Sequence, residues 1–481
     1  MRGAGIMMTS QGLQFGLRMI SVVILARILA PSDFGLIAMV AAITAFVKIF
    51  KDLGLSMATM QKKEISHGQV STLFWINLGI GVLMMFVIAA LSPIVAWFYD
   101  EPRLTLITLA LSISFFFSGL AVQHQALLRR LLRFKSLAVV QIGSMALSIA
   151  VGVISALNKA GYWSLVWMNV TSAAFMTIGF WLLCEWRPGL PKRGTGVRQM
   201  ISFGKDITGY NLVYYFSRQL DKILIGQLYG ANALGLYNKA HQIMMLPVSN
   251  LRVPIVTVSL PVLSKLQNNP KKFGNYYNKI LLIMSFLSMP VMLFLFICSK
   301  PIILLILGEK WLGMNNIFKF FALIGFIQPI ATTAGLVLLS LGHSDRYFKW
   351  GLLSSIFFTT SFVIGLPFGA LGVASSYAIA NYLILLPSLW YCFRSSPITV
   401  RDFFRSIWRA AVASIIMAVA IWFIQYKFEG LQYLLLILLL IGISIYLLVW
   451  STLPGGLKLL RELLGHFITL FDRGRSSHPV K

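Results

Sequence analysis

Charged residues are scarce in this 481-residue chain, at 11% of positions where a soluble protein carries roughly a quarter. With 58% hydrophobic residues and a mean hydropathy of +0.81, the deficit excludes an ordinary soluble fold and marks a polytopic membrane protein. Acidic residues are scarcer still, 14 against 41 Lys and Arg, which leaves a formal charge of +27. The three cysteines, Cys184, Cys298 and Cys392, lie in or beside different apolar runs, which excludes a disulfide framework and a thiolate metal site. No Gly-rich phosphate loop ending in Lys-Ser/Thr and no metal-spaced histidine cluster occurs, so neither ATP hydrolysis nor a resident cofactor or metal is expected. Connections stay within about 20 residues, too short for a soluble catalytic domain.

Apolar runs of about 20 residues, the length that crosses hydrocarbon, recur along the chain. About 14 are expected, near 6–28, 35–57, 70–98, 104–128, 137–157, 162–183, 201–228, 234–263, 280–306, 317–339, 350–366, 371–391, 407–424 and 431–450. They exceed strand length and lack strict alternation, so the predicted fold class is an all-α integral membrane protein. Gln11, Gln14 and Arg18 interrupt the first run and no small-residue cleavage site follows, which predicts an uncleaved first helix.

Basic residues alternate between connections. Lys62 and Lys63, Arg129 to Lys135, Arg187 to Arg198, Lys265 to Lys272, Arg346 and Lys349, and Arg394 to Arg409 mark one set of loops. The other set, near Pro31, Asp100, Lys159, Ala231, Glu309, Gly369 and Lys427, is short and nearly uncharged. By the positive-inside rule the first set is cytoplasmic, and an even number of spans puts both termini there. Because the positive charge is spread over many loops beside helices, no nucleic-acid partner is expected. From Gly455 a stripe of Leu460, Leu463, Leu464, Phe467 and Phe471 predicts an amphipathic tail lying along the cytoplasmic leaflet of membrane lipid.

Arg18 and the "LARILAPSDFGL" that follows it recur as Arg218 and "LIGQLYGANALGL", with Gly235 standing 200 positions after Gly35. "PIVAWFYDE" at Pro93 meets "PIILLILGE" at Pro301, and "GYWSLV" at Gly161 meets "GALGVA" at Gly369. The expected organisation is an N-lobe over 1–185 and a cytoplasmic linker over 186–200. A C-lobe over 201–394, two extra spans over 395–453 and the tail over 454–481 complete it. Six spans per half make this a parallel repeat of two pseudo-symmetric six-helix lobes, an organisation suited to alternating access.

Gln11, Gln14, Arg18 and Ser21 share one face of the first helix, and Asn211, Tyr214, Arg218 and Asp221 stand 200 positions on, with Lys222 beside them. A charge at the bilayer centre costs roughly 2.5–3.5 kcal/mol on insertion scales, so such residues line a cavity or pair with one another. The second helix adds Lys48, Lys51 and Asp52, and its counterpart adds Lys239, His241 and Arg252. Arginine favours phosphate because its planar fork binds two oxygens and stays charged, so the candidate anion-binding residues are Arg18, Arg218, Lys222, Lys239, Arg252, Gln14, Asn211 and Tyr214. Asp52, Asp221 and Lys48 are candidates for ion coupling or for mutual neutralisation, and Lys48 and Lys51 lie near enough to the cytoplasmic end to snorkel. His124 reads as a helix-end hydrogen-bonding group, and Tyr214, Trp163 and Trp167 as packing or interfacial belt in preference to sugar-stacking groups.

"LARILAPSDFGLIAM", "DLGLSMATMQKKEIS", "LDKILIGQLYGANALGLYNKA", "LPVLSKLQ" and "GEKW" at Gly308–Trp311 together resemble the polysaccharide transporters of the MOP superfamily, in particular Wzx-type flippases. The resemblance implies a flippase of the bacterial inner membrane. It would carry an undecaprenyl-diphosphate-linked oligosaccharide from the cytoplasmic to the periplasmic leaflet for exopolysaccharide, capsule or O-antigen assembly, near a polymerase and a chain-length regulator. A diphosphate suits Arg18 and Arg218. The alternative is a cation-coupled multidrug or small-solute antiporter on the same scaffold, although the first helix lacks the acid that such exporters use. A membrane enzyme is disfavoured, since Asp100, Glu101, Arg103, Glu309 and Lys310 in the outer loops form no convincing catalytic set.

Overall fold

A computed structural model describes the backbone of residues 2–50, 59, 65–191, 197–428, 435–457 and 459. Side chains are described over the same residues except 2–4, 6–8, 45–50 and 197–218. Among the described residues the structure is helical, without strands. In chain order the long helices are α1 (Arg2–Ile28), α2 (Pro31–Phe50), α3 (His67–Tyr99), α4 (Arg103–Arg130), α5 (Phe134–Leu157), α6 (Trp163–Leu183), α7 (Val197–Leu266) and α8 (Pro270–Ile297). There follow α9 (Ser299–Ile306), α10 (Asn315–Ala331), α11 (Ala334–Ser340), α12 (Ser344–Gly365), α13 (Gly369–Leu383), α14 (Leu385–Phe393), α15 (Val400–Lys427) and α16 (Leu435–Thr452).

Eleven helical stretches among the described residues are long and apolar enough to cross a membrane, against the fourteen expected. Two of the eleven, Gln219–Leu266 and Ser344–Phe393, run 48 and 50 residues and each overlap two expected spans, while Pro31–Thr44 is apolar but shorter. The membrane-spanning all-α class therefore stands, and the number fourteen is not reproduced by this length criterion. The expected tail stripe from Leu460 onward lies outside the described residues.

Helix boundaries follow local chemistry. Ser66 and Gln69 form a capping box before α3, with Gln69 N donating to Ser66 Oγ at 3.2 Å and Ser66 N to Gln69 Oε1 at 3.1 Å. Thr399 and Asp402 do the same before α15, and Asn269 caps α8 with Pro270 in its first turn. α7 is two helices joined at Gly230, whose φ of 75° and ψ of −178° suit a residue without a Cβ. Pro247, Pro254 and Pro261 further remove hydrogen bonds from its second segment.

The described chain forms two compact units: Met1–Asn238 with Ile306–Trp311, and Lys239–Leu305 with Leu312–Lys481. In the first, α3 packs along α4, α6 against α4 and α5, and α1 against α5. The α3–α4 approach is set by glycines, since a Cβ on Gly81 would lie 2.8 Å from Phe115 O and one on Gly119 2.9 Å from Asn77 O. Such close backbone approach replaces the hydrophobic drive that helices lose in lipid. In the second unit α8 packs against α10 and α15, α15 against α16, and α12 against α13. Polar ties add to this packing: Tyr277 Oη and Thr333 Oγ1 are 3.0 Å apart, and Tyr446 Oη donates to Phe286 O at 3.0 Å.

Candidate functional site

The polar face read on α1 splits in the folded chain. Gln14 is half-buried and its amide nitrogen donates to Ser10 Oγ at 3.0 Å and to Gln141 Oε1 of α5 at 3.2 Å, so this candidate ligand is tied into α1–α5 packing. Ser21 is buried and meets Met168 Sδ of α6 at 3.8 Å. Arg18, within the span Thr9–Ile28, is exposed and has no hydrogen bond or ion pair among the described residues. A permanently charged, unpartnered guanidinium inside an apolar helix is costly against lipid, so it calls for water or an anion beside it. A groove of about 530 Å³ between α1 and α5, lined by residues including Thr9, Ser10, Leu13, Lys135, Val139 and Ile142, is largely apolar and does not include Arg18.

On α7, Asp221 is buried and accepts a hydrogen bond at 2.9 Å from the Tyr237 hydroxyl, sixteen residues on and past the break at Gly230. The sequence reading offered Lys222 or Arg218 as neutralising partners for Asp221. Among the described residues its carboxyl takes a hydrogen bond from a phenol and forms no ion pair with Lys222, because adjacent residues on a helix project in different directions, although the Lys222 charge still acts on it; Arg218 lies outside the residues whose side chains are described. Asp221 Oδ1 is buried without a hydrogen-bond partner, and Lys222 is half-buried beside it.

In the second unit Lys239 is buried, with Nζ donating to Gln242 Oε1 at 3.3 Å, and Arg252 is half-buried with its Nε sequestered and unbonded. His241 packs edge-on to Phe321 at 5.1 Å. Arg218, Asn211, Tyr214, Lys48 and Asp52 lie outside the residues whose side chains are described. His124 is fully buried, stacks on Trp181 at 4.5 Å and shares Leu120 O with the Trp181 indole, at 3.2 and 3.1 Å. It is thus packed among rings and bonded within α4, which continues to Arg130, where a helix-end hydrogen-bonding group was expected.

The ion pairs described are at helix ends. Arg103 holds Glu101 through two contacts of 2.7 Å, and this hydrogen-bonded pairing keeps the Glu101 carboxyl below its usual range. Arg133 binds Glu185 at 2.8 Å and likewise holds it low. No cluster of metal-ligating side chains occurs among the described residues.

A family profile described as "polysaccharide biosynthesis protein" matches residues 24–316, more than half of the chain. The chain belongs to that polysaccharide biosynthesis family. Similar relatives include the lipopolysaccharide biosynthesis protein WzxC of Escherichia coli (strain K12), 25% identical over 403 residues that cover 82% of this chain and 81% of that protein. The teichuronic acid biosynthesis protein TuaB of Bacillus subtilis (strain 168) is 27% identical, with 78% of each chain covered. The succinoglycan biosynthesis transport protein ExoT of Rhizobium meliloti (strain 1021) is 24% identical over 89% of this chain and 87% of that protein. Among solved structures, the lipid II flippase MurJ in an inward closed conformation superposes with a TM-score of 0.76 at 17% identity, covering 95% of this chain and 99% of that one. An inward-facing multidrug resistance MATE transporter of the MOP superfamily gives 0.62 at 11% identity, with 79% and 94% covered. These superpositions establish that the chain shares the fold of those two proteins.

Sequence reasoning singled out neither Gln141 nor Tyr237, and it took Lys310 and Trp311 only as an outer-loop charge and as part of the "GEKW" motif, with no partner assigned. Tyr237 could have been found from "GLYNKA", where it follows Gly235, but a phenol in an apolar run carries no mark of an acidic partner. The indole and ammonium of "GEKW" bind α1 carbonyls more than 280 positions away, a pairing that only the fold creates.

Proposed function

We propose that the chain moves a polyprenyl-diphosphate-linked oligosaccharide from the cytoplasmic to the periplasmic leaflet of a bacterial inner membrane by alternating access, making and breaking no covalent bond. The observation that carries this reading is Arg18, exposed and unpartnered among the described residues within an apolar span. It is supported by membership of a polysaccharide biosynthesis family and by relatives named for lipopolysaccharide and succinoglycan biosynthesis, the latter as a transport protein. The fold shared with a lipid II flippase adds a scaffold on which lipid-linked cargo is moved. Lys222 joins Arg18 as a cationic group for the diphosphate, and Arg218, Asn211 and Tyr214 complete the set from the second repeat. Both termini are cytoplasmic, as the basic loops direct.

The test is accumulation of the lipid-linked repeat unit in cells lacking the gene, complemented by wild type, Arg18→Lys or Arg18→Ala. Wild type clears the intermediate. Arg18→Ala slows clearance about tenfold or more, and Arg18→Lys falls between, because an ammonium keeps the charge and loses the fork. Normal clearance by Arg18→Ala refutes the diphosphate role. A changed drug sensitivity with no accumulated lipid would replace the reading by the antiporter.

A further inference from the structure

We propose that Gly35 and Gly235, held by Lys310 and Trp311, are the gate at the poorly charged end of the transport path, and that this crossing parts for cargo to leave. The inference rests on the transport reading above and adds the residues that close one end. All of them lie in the first compact unit.

The first turns of α2 and of the second segment of α7 cross backbone on backbone. A Cβ on Gly35 would collide with the carbonyl of Ala231, and a Cβ on Gly235 with the carbonyl of Pro31. The contact is reciprocal, and each partner stands 200 positions from its equivalent, so the repeat meets itself here about a local twofold axis. With no side chain between them, the spacing at this point is fixed by the two backbones.

A segment far along the chain fastens the crossing. The last carbonyls of a helix have no partner within it, and α1 ends at Ile28. Trp311, fully buried, donates its indole N–H to Ala26 O at 2.8 Å, and Lys310 Nζ donates to Ile28 O at 3.2 Å. The Trp311 ring stands edge-on to Phe34, next to Gly35, at 5.3 Å. In the other repeat an aromatic occupies the matching place: a Cβ on Gly226, 200 positions after Ala26, would lie 2.9 Å from Tyr99 Cε1. Backbone packing, donated hydrogen bonds and rings hold this end. Lys310 and Trp311 are positioning residues here: they act on α1 and α2, with no role in holding cargo.

The test places a reporter one turn inside the crossing, Ala38→Cys, which is buried in the closed form. Cys184, Cys298 and Cys392 are replaced by Ala, and spheroplasts carrying the full chain are treated with a membrane-impermeant maleimide. The closed parent labels slowly. Gly35→Ala and Gly235→Ala, whose methyl groups the crossing cannot hold, label at least about tenfold faster. Trp311→Phe keeps a ring and loses one donor, and labels about two- to tenfold faster, the range expected for one hydrogen bond; Lys310→Met acts in the same direction. Since Trp311→Phe and Lys310→Met introduce no clash, they report even if a glycine variant fails to insert. Equal labelling of these two and the parent, at equal membrane levels, overturns the gate. Labelling needs no cargo, so faster labelling in cells that never accumulate lipid-linked sugar would leave the gate standing and remove the flippase reading.

Discussion

Deleting the Tyr237 hydroxyl tests whether the buried carboxyl of Asp221 depends on it. Tyr237 is fully buried, so Tyr237→Phe keeps the ring and opens no cavity, while the hydroxyl's hydrogen bond to Asp221 at 2.9 Å is lost. Asp221 Oδ1 already has no hydrogen-bond partner, and loss of the bond to Oδ2 strips the carboxyl further. Leaving a buried acceptor unsatisfied costs about 1–3 kcal/mol, whereas replacing both partners with apolar groups of similar shape comes near to neutral. The expected pattern is therefore a loss of about 1–3 kcal/mol for Tyr237→Phe and a smaller combined loss in Asp221→Leu with Tyr237→Phe than the two single losses added together. Equilibrium unfolding of the purified chain in mixed micelles, followed by tryptophan fluorescence, measures all the corners of the cycle. Additive losses, or a Tyr237→Phe effect below about 0.5 kcal/mol, would refute a structural dependence of Asp221 on this phenol.

Gly119→Val should lower the amount of folded chain by fluorescence-detected size exclusion, because even its Cβ would sit 2.9 Å from the Asn77 carbonyl; overpacking of this kind costs about 1–3 kcal/mol. Wild-type behaviour would mean that α3 and α4 can separate there freely. Tyr446→Phe, which frees Phe286 O from a 3.0 Å bond between α16 and α8, should cost about 0.5–1.5 kcal/mol in the same micellar unfolding experiment. Glu101 is held below its ordinary range by Arg103, so the stability it contributes is present above the ordinary carboxylate pKa of 4.5 and is lost as pH falls through the lower folded value. Glu101→Gln should flatten the acid side of the stability profile, and an unchanged profile would show that the pair contributes nothing measurable.

Much of this protein is legible in its composition, because a chain poor in charge has few ways to satisfy its backbone in hydrocarbon and long apolar runs become helices. Ser66 with Gln69 and Thr399 with Asp402 announce their helix starts, and the 200-residue shift that joins Gly35 to Gly235 reappears as a reciprocal backbone contact. The count of spans was less legible, since Gln219–Leu266 and Ser344–Phe393 carry their breaks within continuous apolar sequence. Periodicity put Gln14, Arg18 and Ser21 on one face, yet what each meets depends on the neighbouring helix: Gln141 takes the first, Met168 the third, and Arg18 has no hydrogen bond or ion pair among the described residues. Hydrophobicity and repeat spacing are properties of the chain itself, so the sequence by itself determined the membrane class, the repeat and the cationic residues. Tertiary structure alone decided that Asp221 answers to Tyr237 and that Trp311 caps α1, because a hydrogen bond between distant residues exists only once packing has brought donor and acceptor within reach.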